Sequence, residues 1–235
     1  MLEEGDVEGR EIIFLGDDDL TSIATGLLRF SKKITVVDID DRLLKLIDEI
    51  SKREDIGVEC IRHDLRQPLP DDLKGRYDVV FTDPPYTIQG LKLFVSRGID
   101  ALRTKKCASI YLSFAHKPPE EMLSLQVAIN EMGLFIQEMI PRFNRYEGAE
   151  MFANTTFLAK LETTEATHPL ITGPFEGKIY TGEVSPTART YRCQCGYTIN
   201  VGIGQEFRTI EDLKAQGCPK CGRKRGFRIV RRRTL

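Results

Sequence analysis

Glu11-Ile12-Ile13-Phe14-Leu15-Gly16-Asp17-Asp18-Asp19-Leu20-Thr21-Ser22 is an apolar run that stops at a glycine and turns at once into three adjacent carboxylates. The run has the length and composition of a buried strand. Beyond the turn, Leu20, Ile23, Ala24, Leu27 and Leu28 fall at helical spacing, so residues 20–30 read as a helix. Ile34-Thr35-Val36-Val37 is a second strand, ending in Asp38. The alternation continues with a helix at 41–50, a strand at 58–61 ending near Asp64, and a strand at 77–81 running into Thr82-Asp83-Pro84-Pro85-Tyr86. A helix at 91–102, a strand at 107–114, a helix at 120–132 and strands at 134–140 and 155–161 complete the pattern. Such alternation predicts an α/β domain, a parallel doubly wound Rossmann-like sheet. In such sheets the ligand sits outside the carboxyl ends of the strands, where this sequence places its acids.

The first turn excludes the commonest ligands of that fold. Dinucleotide sites use glycines there so that backbone can approach a pyrophosphate. Asp17, Asp18 and Asp19 would repel a phosphate and attract a sulfonium, an ammonium or a metal ion. That argues against NAD, FAD or ATP and for a sulfonium nucleoside of the S-adenosylmethionine type. Helix capping by Asp19 or Thr21 explains one or two of these acids and is compatible with a functional role. Crowded acids should also raise one pKa and create a proton acceptor. Asp38 lies 22 positions after Gly16, the placement of an acid that binds ribose hydroxyls, and Asp64 is placed for an adenine amino group. Asp83-Pro84-Pro85-Tyr86 is stiffened by two prolines. A rigid carboxylate beside an aromatic ring can orient an amine and favour developing positive charge on it.

The net charge of −1 conceals two modules. Residues 186–235 hold 12 of the 34 Lys+Arg but 3 of the 35 Asp+Glu, a net of +9, which leaves residues 1–185 at −10. A hydrophobic share of 41% with 29% charged residues excludes a disordered or fibrous chain. No apolar run is long enough to span a membrane, and the acidic start Met1-Leu2-Glu3-Glu4 is not a secretory signal, so a cytoplasmic protein without a membrane partner is expected. The expected organisation is a transferase domain over 9–165, a Thr-, Gly- and Pro-rich linker over 166–186, and a basic module over 187–235. A module that small needs a staple. Cys193-Gln194-Cys195-Gly196 and Cys218-Pro219-Lys220-Cys221-Gly222 supply two knuckles, and their four thiolates predict structural tetrahedral zinc in a ribbon-like fold. A closed four-thiolate site leaves no open position for catalysis. Phe207, Phe227 and Tyr197 are expected to form the module's small core, and Cys60 and Cys107 to be buried in strands. His63, His116 and His168 have no ligand spacing. The surrounding Arg and Lys side chains suit a nucleic-acid partner, docking on the acidic body, or plain solvation.

The acidic turn, Val37-Asp38-Ile39-Asp40-Asp41-Arg42-Leu43, Asp64-Leu65-Arg66-Gln67-Pro68-Leu69-Pro70, Thr82-Asp83-Pro84-Pro85, Phe94-Val95-Ser96-Arg97-Gly98-Ile99 and Arg142-Phe143-Asn144-Arg145-Tyr146 together resemble the archaeal and thermophilic branched-chain polyamine synthases. The resemblance covers residues 9–161. It implies that decarboxylated S-adenosylmethionine donates an aminopropyl group to the secondary amine of spermidine, a linear polyamine, leaving methylthioadenosine. It implies Asp17, Asp83 and Tyr86 as catalytic residues, with Asp18, Asp19, Pro84 and Pro85 on the acceptor side. Gly16, Asp38 and Asp64 would hold the adenosine. A homo-oligomer, as a dimer, is the expected assembly. Family members carry a winged-helix-like domain before this sheet, whereas this chain begins almost at its first strand.

Two departures keep a second reading open. Tyr86 makes the loop Asp-Pro-Pro-Tyr, the pattern of amino-directed methyltransferases, and the C-terminal end is basic with four cysteines where the family type is acidic. An S-adenosylmethionine-dependent amino-methyltransferase acting on nucleic acid or protein is therefore the alternative.

Overall fold

The computed structural model describes residues 1–104, 106–145, 155–180, 187–201, 205–207 and 210–234. These fall into two compact units, Met1–Thr181 and Gly182–Leu235. In the first, strands β1 (Glu11–Leu15), β2 (Lys33–Asp38), β3 (Val58–Arg62), β4 (Val79–Thr82), β5 (Ser109–Ala115), β6 (Leu134–Arg145) and β7 (Thr155–Thr163) form one sheet in the order β3-β2-β1-β4-β5-β7-β6. Helices α1 (Thr21–Leu27), α2 (Asp41–Glu54), α3 (Ile88–Ala101) and α4 (Pro119–Glu131) connect the strands.

Alternate residues of each central strand feed two cores. Ile12 and Phe14 of β1 pack with Ile23 of α1 and Leu44 and Ile47 of α2. Ile13 and Leu15 pack on the other face with Leu91, Phe94 and Ile99 of α3 and Leu125 and Ile129 of α4. Burial on both faces explains why these strands read as continuous apolar runs rather than alternating ones. The aromatic and β-branched side chains removed from water there are the main stabilising term, worth roughly 1.5–3 kcal/mol each.

The expected all-parallel sheet needs one correction. β7 pairs antiparallel with both β5 and β6. The physical reason is the connection: only nine residues, 146–154, separate β6 from β7, fewer than the dozen or more that a parallel crossover needs. A second correction concerns Cys107, which precedes β5 with φ 52 and is exposed, and Cys60 is only partly buried.

The second unit has a three-stranded sheet, β8 (Thr187–Arg192), β9 (Thr198–Val201) and β10 (Arg228–Thr234) in the order β10-β8-β9, and a helix α5 (Ile210–Gln216). Its core is Tyr191, Cys193, Ile199, Val201, Phe207, Leu213 and Cys218, with Phe227 partly buried against it. Tyr197 is 37% exposed and does not belong to that core. Among the described residues no helix is long and apolar enough to cross a membrane.

Candidate active site

The ends of β1 and β4 are tied together, because the Thr82 hydroxyl donates to the Leu15 carbonyl at 2.9 Å. Gly16 follows β1 with φ 73, a left-handed conformation that side chains disfavour, and its N–H donates to the Val37 carbonyl at 3.0 Å. That kink sets the acidic turn beside the Asp83 backbone: a Cβ at Gly16 would lie 3.6 Å from the Asp83 carbonyl oxygen and 4.0 Å from Asp38 Oδ2.

Two adjoining cavities open here, sharing Gly16, Asp38, Ile39, Phe94 and Tyr180. The first also takes in His63, Asp64, Leu65 and Arg66. It brings together Gly16, Asp38 and Asp64, the three residues expected to hold adenosine. Each acid fixes its own loop: Asp38 Oδ1 accepts from Asp40 N–H at 2.8 Å, and Asp64 Oδ1 from Arg66 N–H at 2.9 Å. His63, whose Nε2 lies 3.1 Å from the Pro68 carbonyl, walls this cavity although its spacing gave no hint of it.

The second cavity adds Asp18, Asp40, Asp83, Pro84, Pro85 and Tyr86, with no Lys, Arg or His in its wall among the described residues. Burial, and then the charges of Asp38, Asp19 and Asp40, push the Asp18 carboxyl above its ordinary value. The Arg42 guanidinium holds Asp40 down at about 2. Tyr86 donates from its hydroxyl to Asp83 Oδ2 at 3.3 Å, and its ring stands edge-on to Phe114 at 5.4 Å. The loop lies against the start of α3, which Thr87 caps by accepting from Gly90 N–H at 3.0 Å. A Cβ at Gly90 would collide with the Pro85 carbonyl, so glycine is what allows helix and loop to approach.

Asp17 and Asp19 are not in either wall. Asp19 is exposed, whereas Asp17 is 2% exposed. The Asp17 carboxylate accepts from the Ser22 N–H at 3.2 Å and from the Ser22 hydroxyl. Leu20 holds the N-cap position of α1 without a side-chain bond, so it is Asp17 from upstream, rather than Asp19 or Thr21, that satisfies the Ser22 N–H in the first turn. Burial raises its pKa to about 7 despite those hydrogen bonds.

Sequence reasoning missed Phe94, Ile179 and Tyr180. Phe94 lies in the stretch Phe94–Ile99, whose residues carry no chemical signature, and Ile179 and Tyr180 sit in the Thr-, Gly- and Pro-rich segment that composition marks as linker. Tyr146 lies outside the described residues, as do 181–186.

In the second unit the Cys193, Cys195, Cys218 and Cys221 sulfurs all lie within 4.8 Å of one another. Cys193–Cys221 and Cys195–Cys218 are 3.7 and 3.8 Å apart. Gly196 (φ 87) and Gly222 (φ 69) make the two tight turns, and Gly196 N–H donates to the Cys193 carbonyl and Gly222 N–H to the Cys218 carbonyl. A tetrahedral ion with metal–sulfur bonds of about 2.3 Å needs sulfurs about 3.8 Å apart, so this cluster fits a metal ion.

Comparisons with known proteins agree with this geometry. Residues 1–201 match the model of the branched-chain polyamine synthase A C-terminal domain. An uncharacterized protein of Methanocaldococcus jannaschii is 50% identical over 100% of this chain and 57% of its own length. The N(4)-bis(aminopropyl)spermidine synthase of Thermococcus kodakarensis is 39% identical over 62% of this chain and 42% of its own length. The chain thus spans about half the length of these relatives. The crystal structure of the Thermus thermophilus branched-chain polyamine synthase, in complex with N4-aminopropylspermidine and 5'-methylthioadenosine, superposes with a TM-score of 0.70 at 28% identity, covering 78% of this chain and 58% of that one. A putative RNA methyltransferase from Pyrococcus horikoshii shares the fold, with a TM-score of 0.57 at 16% identity over 69% of this chain and 77% of that one. The acidic turn, the paired cavities and these matches lead to one conclusion: the chain belongs to the branched-chain polyamine synthase A C-terminal domain family.

Proposed function

We propose that the first unit transfers the aminopropyl group of decarboxylated S-adenosylmethionine to a secondary amine of a linear polyamine such as spermidine. One observation carries the reading. The cavity beside the nucleoside-type pocket is walled by Asp18, Asp38, Asp40 and Asp83, with no Lys, Arg or His in its wall among the described residues. Such a wall suits a polycation and a sulfonium donor without a carboxylate, and it disfavours a phosphate backbone or a carboxylated donor.

The electron and proton balance is simple. The amine lone pair attacks the aminopropyl carbon bound to sulfur, the carbon–sulfur bond breaks, and methylthioadenosine leaves as a neutral thioether. The new ammonium sheds its proton to a carboxylate. Asp83, rigid between β4 and two prolines and bonded to Tyr86, orients the amine. Asp18 and Asp19 attract the remaining ammonium groups. The family resemblance makes Asp17 the proton acceptor; burial raises its pKa to about 7, which suits that task, but its carboxylate lies outside both cavity walls. Its carboxylate must exchange its Ser22 bonds to reach the amine.

The test is incubation with decarboxylated S-adenosylmethionine and spermidine. Release of methylthioadenosine with a branched product supports the reading. Turnover with S-adenosylmethionine alone, giving S-adenosylhomocysteine, overturns it in favour of amino-methyl transfer.

For the second unit we propose structural zinc in the four thiols and single-stranded nucleic acid as partner. Lys214, Arg225 and Arg228 line a concavity together with Tyr191 and Phe227. Binding that weakens steeply with salt supports the partner, and salt-independent binding removes it.

A further inference from the structure

Arg97 lies on α3 and is 0% exposed. Its guanidinium donates to four backbone carbonyls: Nε to Leu65 at 3.0 Å, Nη1 to Ile171 at 2.9 Å, and Nη2 to Gly173 at 2.7 Å and Arg66 at 3.4 Å. Burying a guanidinium is costly unless its donors are satisfied. Here they are satisfied by two stretches of chain more than 100 residues apart in the sequence, the loop after β3 and the segment after β7.

Neighbouring bonds run the same way. Ser96 Oγ accepts from the Leu170 and Ile171 N–H groups at 3.1 and 3.2 Å. Phe175 N–H donates to the Arg66 carbonyl at 2.8 Å, and the Thr87 hydroxyl donates to the Ile179 carbonyl at 2.7 Å. Residues 170–180 are therefore a strap fastened across α3. Both cavities use its end, through Tyr180, and the nucleoside-type pocket also uses Ile179.

We propose that Arg97 is a positioning residue for the nucleoside half of the site. It clamps the strap to the loop 64–66, so that Asp64, Leu65, Arg66, Ile179 and Tyr180 form one wall before any ligand arrives. A wall built in advance binds more tightly because less chain must be ordered on binding. Arginine is required because its planar fork reaches both stretches at once, whereas a lysine ammonium is a single point on a flexible stem. The proposal rests on the donor reading above, in which this pocket takes the adenosine part.

The experiment compares wild type with Arg97→Lys in the full chain. Amide hydrogen exchange and calorimetric titration with methylthioadenosine are the two readouts. In Arg97→Lys the amides of Leu170, Ile171 and Phe175 exchange at least about tenfold faster while those of β1, β4 and β5 are unchanged, and the dissociation constant for methylthioadenosine rises about tenfold. Uniform acceleration across the sheet, or a loosened strap with unchanged affinity, overturns the proposal. Should Arg97→Lys fail to fold, Ser96→Ala removes the acceptor for two strap amides and is held to the same outcomes. A wild-type chain that does not bind methylthioadenosine counts against the donor reading itself, which separates that failure from failure of the clamp.

Discussion

Replacing Asp17 by Asn removes a buried group whose ionisation opposes folding. The carboxyl is 2% exposed and holds its proton up to about 7, against an ordinary value of 3.8. Between those two values the folded chain binds more protons than the unfolded chain, so stability falls as pH rises. The contribution is fully present below about pH 4 and is lost as pH passes through about 7. At roughly 1.4 kcal/mol per unit over about three units, the loss is of the order of 4 kcal/mol. Asparagine keeps an acceptor for the Ser22 N–H and supplies a donor for the Ser22 hydroxyl, so the bonds to Ser22 survive. Urea unfolding followed by circular dichroism, from pH 5 to pH 9, measures the difference between the two chains. Asp17→Asn should gain on wild type as pH rises, reach about 4 kcal/mol of advantage near pH 8, and level off. A difference that stays constant with pH, or a variant less stable at pH 9, would show that Asp17 is ionised in the folded state and would refute the reasoning.

Other substitutions probe the proposed chemistry. The same Asp17→Asn chain should lose about 100-fold or more in kcat while its methylthioadenosine affinity stays within about threefold, and unchanged kcat would confine Asp17 to holding the first turn of α1. Gly90→Ala drives a Cβ into the Pro85 carbonyl, so it should destabilise by about 1–3 kcal/mol and raise the polyamine KM more than the donor KM; an unaltered acceptor KM would separate that loop from the acceptor. Chelation, or Cys218→Ser, should unfold the second unit while leaving the exchange protection of β1 and β4 intact, and metal analysis should find one zinc per wild-type chain. A second unit that keeps its exchange protection without metal would refute the staple.

Much of the fold was legible because parallel strands buried on both faces announce themselves as apolar runs. The run Ile12–Leu15 and the helical spacing from Leu20 to Leu28 reappear as β1 and α1. The direction of β7 was not legible, since an isolated apolar run carries no sign of which neighbour it will pair with. The walls around Asp38, Asp64 and Asp83 were anticipated because acids just after strand ends must gather at one edge of such a sheet. Neither Asp17's burial nor Phe94's place in both walls could be read locally, because each depends on how a turn or helix rotates against its neighbours.

Residues 166–180 mark the boundary between the two kinds of information. Their Gly, Pro and Thr content reads as linker, yet Arg97, Ser96 and Thr87 strap them to the first unit. By itself the sequence determined the alternating elements, the chemistry of the strand ends and the four-thiol knuckles, since periodicity and ligand spacing are local properties. Tertiary structure alone decided which acid holds the first turn of a helix, which acids face the cavity and which loop becomes its wall. Those choices turn on burial and on hydrogen bonds such as Thr87 to Ile179, 92 positions apart, and Phe175 to Arg66, farther still, and no local pattern encodes them.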